Sequence, residues 1–374
     1  MSDLDLLPTD VEDDLRASVR ELLADRCPPS AVVPVYDGDR SSVAPLWRAL
    51  AADLGLAGLL VPETRGGAGA SAREAAVVLE ELGRAVAPVP FLTSSIVATT
   101  VLSAAAPGRA GDDLLAALAA GERTAALLVP LGTALGGGLP GFAVDGTGTM
   151  AGQVRGVAGA LEADVLLVPV TGPDGISVHA VPAGDARIDP VISLDMSRQL
   201  ADVVLDGPAG REVLGAEAGD AAVRHGLEVG AALLASEQFG VAQWCLTSTV
   251  AYLKDRRQFG RVVGGFQALK HRLADLFVAV EQAAAAARYA AVTVAEDDPD
   301  RAVASAVAQA WCGEVAVRAA EEAVQLHGGI GMTWEHPAHL YLKRAKADQI
   351  AFGTPGAHRT RLAGLLDLPA PAAP

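Results

Sequence analysis

Gln325 to Thr354, QLHGGIGMTWEHPAHLYLKRAKADQIAFGT, is where this 374-residue chain gathers the side chains that could do chemistry. A helical pattern from Pro299, with Asp298 as its N-cap, carries Val303, Val307, Ala310, Trp311, Val315, Ala320 and Val324 at helical spacing and stops at Gly328-Gly329. Pro337 opens a second helix that runs to about Ala351 and stops at Gly353. A Gly-Gly turn between helices leaves backbone N–H groups open to an anion or a cofactor edge, and Gln325 and His327, one turn back, add hydrogen-bonding side chains. Spacing alone favours a plainer reading, a glycine C-cap. His327, His336 and His339 invite a metal, but they straddle a loop with no thiolate or second carboxylate cluster beside it, so no metal site is expected.

A second block stands upstream: Arg256-Arg257-Gln258-Phe259-Gly260, then Gly265-Phe266-Gln267 and Lys270-His271. An arginine pair at a helix end offsets the helix dipole and, taken alone, needs no other role. Together, however, the two blocks resemble the acyl-CoA dehydrogenase family. Its signatures are Arg-x-x-Phe-Gly with Phe-Gln-x-x-x-His, and Gln-x-x-Gly-Gly-x-Gly running through a helix to a Glu-Gly-Thr turn. The second aligns without a gap; the N-terminal two thirds match mainly in domain order.

The resemblance implies FAD and a coenzyme A thioester. Such enzymes remove the α-proton of an acyl-CoA with a carboxylate while the β-hydrogen leaves as hydride to the flavin. It also implies roles by position. Arg256 meets the FAD pyrophosphate, with Gln258 and Phe259 beside the flavin or adenine, and Gln325, Gly328 and Gly329 line the adenosine and pyrophosphate end. These residues reach into the neighbouring subunit's cofactor, whereas Thr354 touches the FAD of its own chain.

The departures are as informative. The family's base stands either at the Glu of Glu-Gly-Thr or on a helix ten residues before the glycine that here is Gly240. Those positions hold Phe352 and Gly230, and neither takes a proton. Glu228, Glu237 and Asp348 lie nearby, but a two-residue shift on a helix turns a side chain about 200° away, and Asp348, the fallback base, needs its helix to rotate or slide. The β segment that carries Thr and an aromatic against the flavin reads GQVRGVAGALEAD here, with Gly156 and Ala158 in their places. Pro130 to Pro140 replaces the usual Thr-Glu-Pro-rich loop. The expectation is the base-less subunit of a heteromeric acyl-CoA dehydrogenase, a form known among bacterial enzymes of fatty acid or steroid side-chain β-oxidation. It would complete a partner's FAD site in a heterotetramer, with an electron-transfer flavoprotein or oxygen as acceptor. Two alternatives stay open: a self-sufficient homo-oligomer with an unusual base, and a flavin-free scaffold.

Composition fits a large core and not a nucleic-acid binder: 51% of residues are hydrophobic and the net charge is −16. Cys27, Cys245 and Cys312 are far apart and are expected as buried free thiols. An acidic N-terminus and the lack of a spanning apolar run lead to the expectation of a cytoplasmic protein.

The elements that must position these residues fall into three groups. Residues 1–122 read as an N-terminal α-helical domain, with helices at 9–26 (capped by Thr9), 46–56, 72–86, 91–106 and 112–120, and a loop to about Ser42. Residues 123–216 read as a middle β domain from short runs at 125–130, 141–144, 164–170, 176–181 and 201–205. Residues 217–366 read as a C-terminal helical bundle, at 218–257, 266–295, 299–327, 337–351 and 355–366, followed by a flexible tail at 367–374. The expected class is therefore α+β, mostly α, with a β-barrel-like middle domain and a four-helix bundle.

Overall fold

The computed structural model describes residues 4–108 and 110–369. Residues 370–374 of the expected tail, and residues 1–3, lie outside that range. Helices α1 (Asp10–Arg26), α2 (Pro29–Val32), α3 (Val43–Arg48), α4 (Ala72–Ala85), α5 (Thr99–Ser103) and α6 (Asp112–Ala119) come first. Strands β1 (Ala125–Leu127), β2 (Ala143–Val144), β3 (Thr149–Ala158), β4 (Val165–Gly172), β5 (Gly175–Pro182), β6 (Ala186–Val191), β7 (Leu200–Pro208) and β8 (Arg211–Leu214) follow. Then come α7 (Ala216–Asp255), a hairpin of β9 (Arg257–Gln258) and β10 (Arg261–Val262), α8 (Gln267–Ala295), α9 (Arg301–His327), α10 (Ala338–Ile350) and α11 (Pro355–Leu365). Helix, strand, helix is the order the resemblance implies.

These elements form two compact units. One comprises residues 1–33, 76–87 and 232–374, the other residues 34–75 and 88–231. In the helical unit, α1 begins on a capping box. Thr9 Oγ1 accepts from the Glu12 N–H at 3.2 Å and Glu12 Oε2 accepts from the Thr9 N–H at 3.1 Å, so two of the helix's orphan donors are satisfied. Helices α4 and α7 touch backbone to backbone: a Cβ on Gly83 would overlap the Glu237 carbonyl, and one on Gly240 that of Glu80. Such a crossing buries charge on both sides. Glu80 and Glu81 are met by Arg16, Arg20 and Arg84, and Glu237 by Arg344, all without leaving the unit.

In the other unit, two four-stranded sheets run β1-β4-β5-β8 and β2-β3-β7-β6, antiparallel throughout except for the parallel pair β1 and β4. Leu128, Phe142, Met150, Val154, Leu166, Val168, Val203 and Leu205 fill their shared core. The first turns of α7 close onto it: Gly219 lies against the Ile176 carbonyl and Gly226 against Val97 and Val101, contacts that leave no room for a side chain.

Several elements differ from the sequence reading. Asp298 does not cap α9. Its carboxylate accepts from the Asp300 N–H at 2.8 Å, closing a turn that delays the helix to Arg301. The loop expected up to Ser42 contains α2 and a 3₁₀ turn at Val33–Asp37. The helix expected at 46–56 is α3 continued by a π turn at Ala49–Asp53, and the one at 91–106 starts as a π helix over Phe91–Ala98. Strands β3, β6 and β8 were not expected. The helix expected to reach residue 257 stops at Asp255, because Arg257 to Val262 fold back as a hairpin.

Candidate functional site

The hairpin presents the first motif. Phe259 and Gly260 form its two-residue turn with both φ angles positive, +54° and +72°, the backbone that matches a right-handed strand twist. Glycine adopts it freely; Phe259 carries steric cost there, and its ring is 88% exposed. Arg261 braces the hairpin by donating to the Gly265 carbonyl at 2.9 Å and lying 4.7 Å over the Phe266 ring. Arg256, Arg257 and Gln258 all face solvent, and the Arg256 guanidinium meets no hydrogen-bond or ion-pair partner among the described residues.

The second motif comes to the same end of the helical unit. Gln325, Gly328 and Gly329 are exposed. Gly328 ends α9 with φ +66°, its N–H bonded to the Gln325 carbonyl, and a Cβ added at Gly328 or Gly329 would meet nothing within 4 Å. What joins the two motifs is a stack that the sequence reading missed. Tyr252, one turn before Arg256, lies 4.5 Å from the His327 ring, and His327 lies 4.1 Å from the His336 ring. His327 is buried, and its Nδ1–H donates to the Ala323 carbonyl at 2.7 Å. Burial lowers the pKa of His327 and, with His327 and His339 adding to it, pushes that of His336 down to about 4. Beyond them Trp334 takes His339 edge-on and Lys343 Nζ at 3.9 Å over its ring. The three histidines pack against aromatic rings and each other; among the described residues no group of three or more His, Cys, Asp or Glu is arranged to hold a metal ion.

At the third segment, Phe352 is buried with φ +55°, a strained backbone for an aromatic residue, and Gly353 follows at +109°. Exposed Thr354 caps α11, its Oγ1 accepting from the Ala357 N–H at 3.3 Å. Two acids lie near Phe352 and Gly230 in sequence and are buried. Glu237 is locked in an ion pair with Arg344, both buried. Asp348 has no accessible surface, and its carbonyl is held by Gln238 at 3.0 Å. Gly230 is buried inside α7. His358, one turn into α11, is buried, and desolvation, with Arg361 adding to it and the Phe352 backbone opposing it, drops its pKa to about 4. Its only signal in the sequence is a histidine after Pro355-Gly356-Ala357.

In the β unit, Gly156 sits in a bulge of β3 with φ +67°. Its N–H donates to Asp202 Oδ1 at 3.0 Å, and its carbonyl accepts from the Leu131 N–H at 2.9 Å, which ties the 130–140 segment to the bulge. Arg224 Nη1 pins the same segment at the Gly137 carbonyl, 3.1 Å away. Ala158 is buried. The next residue, Gly159, lies so close to Thr93 that a Cβ would overlap its hydroxyl, and the cleft Gly159 lines with Pro90, Ser197 and Gln199 holds only about 10 Å³. No helix among the described residues is long and apolar enough to cross a membrane.

Residues 217–365 match the family model for the acyl-CoA dehydrogenase C-terminal domain, and residues 9–122 the model for the N-terminal domain. Acyl-CoA dehydrogenase IpdE2 of Mycolicibacterium smegmatis is 35% identical over 348 residues, 93% of this chain and 96% of that protein. Among solved structures, the ChsE4-ChsE5 complex from Mycobacterium tuberculosis superposes with a TM-score of 0.85 at 28% identity, covering 99% of this chain and 100% of that one. The Tcur3481-Tcur3483 steroid acyl-CoA dehydrogenase gives 0.82 at 32% identity, covering 96% and 98%. Butyryl-CoA dehydrogenase of Megasphaera elsdenii, at 0.86 and 23% identity over 97% of this chain and 100% of that one, shares the fold. With both signature motifs joined at one end of the helical unit and both domain models matched, the chain belongs to the acyl-CoA dehydrogenase family of FAD-dependent oxidoreductases.

Proposed function

We propose that this chain is the base-less subunit of a heteromeric acyl-CoA dehydrogenase, working on an acyl-CoA thioester by completing the FAD site of a partner chain that carries the catalytic carboxylate. The observation that carries the reading is an asymmetry. The residues a subunit lends outward, Arg256, Gln258, Phe259, Gln325, Gly328 and Gly329, are exposed and open. Those it would use for its own flavin are absent or already engaged. Phe352 and Gly230 hold the base positions, and the polar groups of Gly156 are taken by Asp202 and Leu131. Two relatives in the structural comparison, ChsE4-ChsE5 and Tcur3481-Tcur3483, are two-component assemblies, and the second is a steroid acyl-CoA dehydrogenase. That supports a heteromeric partner and a bulky acyl group.

The lent residues fit the cofactor. A guanidinium with no partner among the described residues, on a helix that meets an open glycine turn through Tyr252 and His327, offers the donors and side-chain-free backbone that a pyrophosphate needs. FAD, when bound, supplies the hydride acceptor. Arg256 would meet its pyrophosphate charge, the Gly328-Gly329 backbone and Gln325 would line the adenosine and pyrophosphate end, and the Phe259 ring, beside the flavin or adenine, would keep water from it. Thr354 keeps its family position but caps α11. At Phe352 the backbone N–H remains able to orient a thioester oxygen, while the side chain cannot take a proton. Further partners in this reading are an electron-transfer flavoprotein and, in a homo-oligomeric alternative, copies of this chain.

The test is a comparison of the purified chain with the chain co-expressed beside candidate acyl-CoA dehydrogenase partners. The expected result is a colourless protein alone and a flavin spectrum with the partner. A yellow, active preparation of this chain alone selects the self-sufficient enzyme, and a complex whose FAD content does not depend on this chain selects the scaffold.

A further inference from the structure

The two motifs assigned to FAD lie about 70 residues apart in sequence, and a grip on one pyrophosphate needs their spacing held to a fraction of an ångström. Two links between them are present among the described residues: Arg272 donates twice to Glu322, at 3.0 and 2.8 Å, and joins α8 to α9 one turn before Gln325, while the Tyr252, His327 and His336 rings join α7, which carries Arg256, to the glycine turn itself. Tyr252 is rooted one turn below Arg256, whose N–H bonds its carbonyl at 2.9 Å. His327 is the residue before Gly328, and the turn curls round it: a Cβ on Gly331 would overlap the Val324 carbonyl and come 3.0 Å from His327 Cβ. His336, whose ring is tilted 40° to that of His327 at 4.1 Å, accepts from the Ala338 N–H through Nδ1 at 3.3 Å and so ties the cluster to the start of α10. The bonded partners fix both tautomers. A donor to the Ala323 carbonyl must carry its proton on Nδ1, and an acceptor from a backbone N–H must carry it on Nε2. An imidazole that accepts at Nδ1, as His336 does, is neutral, and burial lowers the pKa of His327, so the two rings meet without like charges.

We infer that His327 is a positioning residue: packed against Tyr252 and His336, it sets the distance between Arg256 and the Gly328-Gly329 turn, and so the affinity for FAD, without touching FAD. This rests on the reading that these two motifs grip FAD together. The role belongs to the ring and not to its charge, so an uncharged aromatic of similar size replaces it and alanine does not.

The experiment titrates FAD into the deflavinated complex of this chain with its partner, following flavin fluorescence, for wild type, His327→Ala, His327→Phe and Arg256→Ala. Loss of a preorganising contact predicts FAD affinity roughly tenfold weaker in His327→Ala. His327→Phe is expected within about threefold of wild type by the same arithmetic. A melting midpoint measured without FAD separates positioning from general loss of stability. If His327→Ala binds FAD as wild type does while Arg256→Ala is weakened, or if His327→Phe is as weak as alanine, the positioning role is overturned and the FAD assignment stands. If Arg256→Ala also binds normally, the FAD assignment falls and the positioning role with it. Should His327→Ala fail to assemble, Tyr252→Leu reads the same contact from the other side, and normal affinity in that variant overturns the inference.

Discussion

Arg256 offers a charge on an exposed surface. A charge-assisted contact to phosphate contributes on the order of 1.5–3 kcal/mol, so Arg256→Ala is expected to weaken FAD binding in the assembled complex roughly ten- to a hundredfold. Arg257→Ala should matter less, because only Arg256 aligns with the phosphate ligand; equal losses in an FAD titration would show that both arginines reach the cofactor. Phe352 offers no group that takes a proton. The chain alone is expected to reduce no artificial acceptor with any acyl-CoA, and Phe352→Glu is expected to fail as well, since a restored carboxylate needs a hydride acceptor held in place beside it. Turnover gained by Phe352→Glu alone would mean that the flavin pocket is intact after all. His358 makes a different prediction. Its folded pKa, about 4, lies below its ordinary 6.5, so the unfolded chain takes up a proton that the folded chain refuses. Stability present above about pH 6.5 is therefore lost as pH falls toward 4, by about 3 kcal/mol at most. Urea melts at pH 7 and pH 5 should differ less in His358→Phe than in wild type; an identical pH dependence would put the loss on other groups.

Among the elements, the crossing of α4 and α7 carries the most consequence per atom. Glycine at 83 and 240 lets the backbones meet, and Arg344 neutralises Glu237 where no water reaches. Removing one partner of a buried pair costs about 3–5 kcal/mol because the other charge stays buried. Arg344→Met should therefore lower the denaturation midpoint sharply, and adding Glu237→Leu should recover much of the loss, a double-mutant cycle that a merely additive pair would contradict. How far such elements could be read in advance depended on whether the determinant was local. Thr9 with Glu12, and the glycine at 328, signal a cap within four residues, and those helix ends were legible. Strand β3 was not: its sequence, TMAGQVRGVA, breaks alternation at the Gly156 bulge, so its burial never follows a period of two. The hairpin after Asp255 hid because Phe259 takes a left-handed backbone that a phenylalanine seldom adopts. At the candidate site the motif residues were legible one by one, whereas the stack was not, since no local pattern tells Tyr252 that His327 will fold against it.

On the scale of the molecule, apolar and basic groups that stay in water point to where the chain is unfinished. Phe259, Phe277, Val278, Met332 and Trp334 are each more than half exposed, and all belong to the helical unit that carries the lent residues. The first nine residues of α8 are the plainest case: from Gln267 to Asp275 no residue is buried, and past the buried Leu276 the side chains of Phe277 and Val278 are again exposed. A helix segment without tertiary cover holds little protection against opening, since most helical stability comes from packing. In deuterium-uptake terms, the amides of 267–275 in the isolated subunit should exchange about as fast as those of a fraying peptide and slow by orders of magnitude once the partner is added. The bare end of α8 would then act as a clock for assembly, one that can be read before any substrate is known.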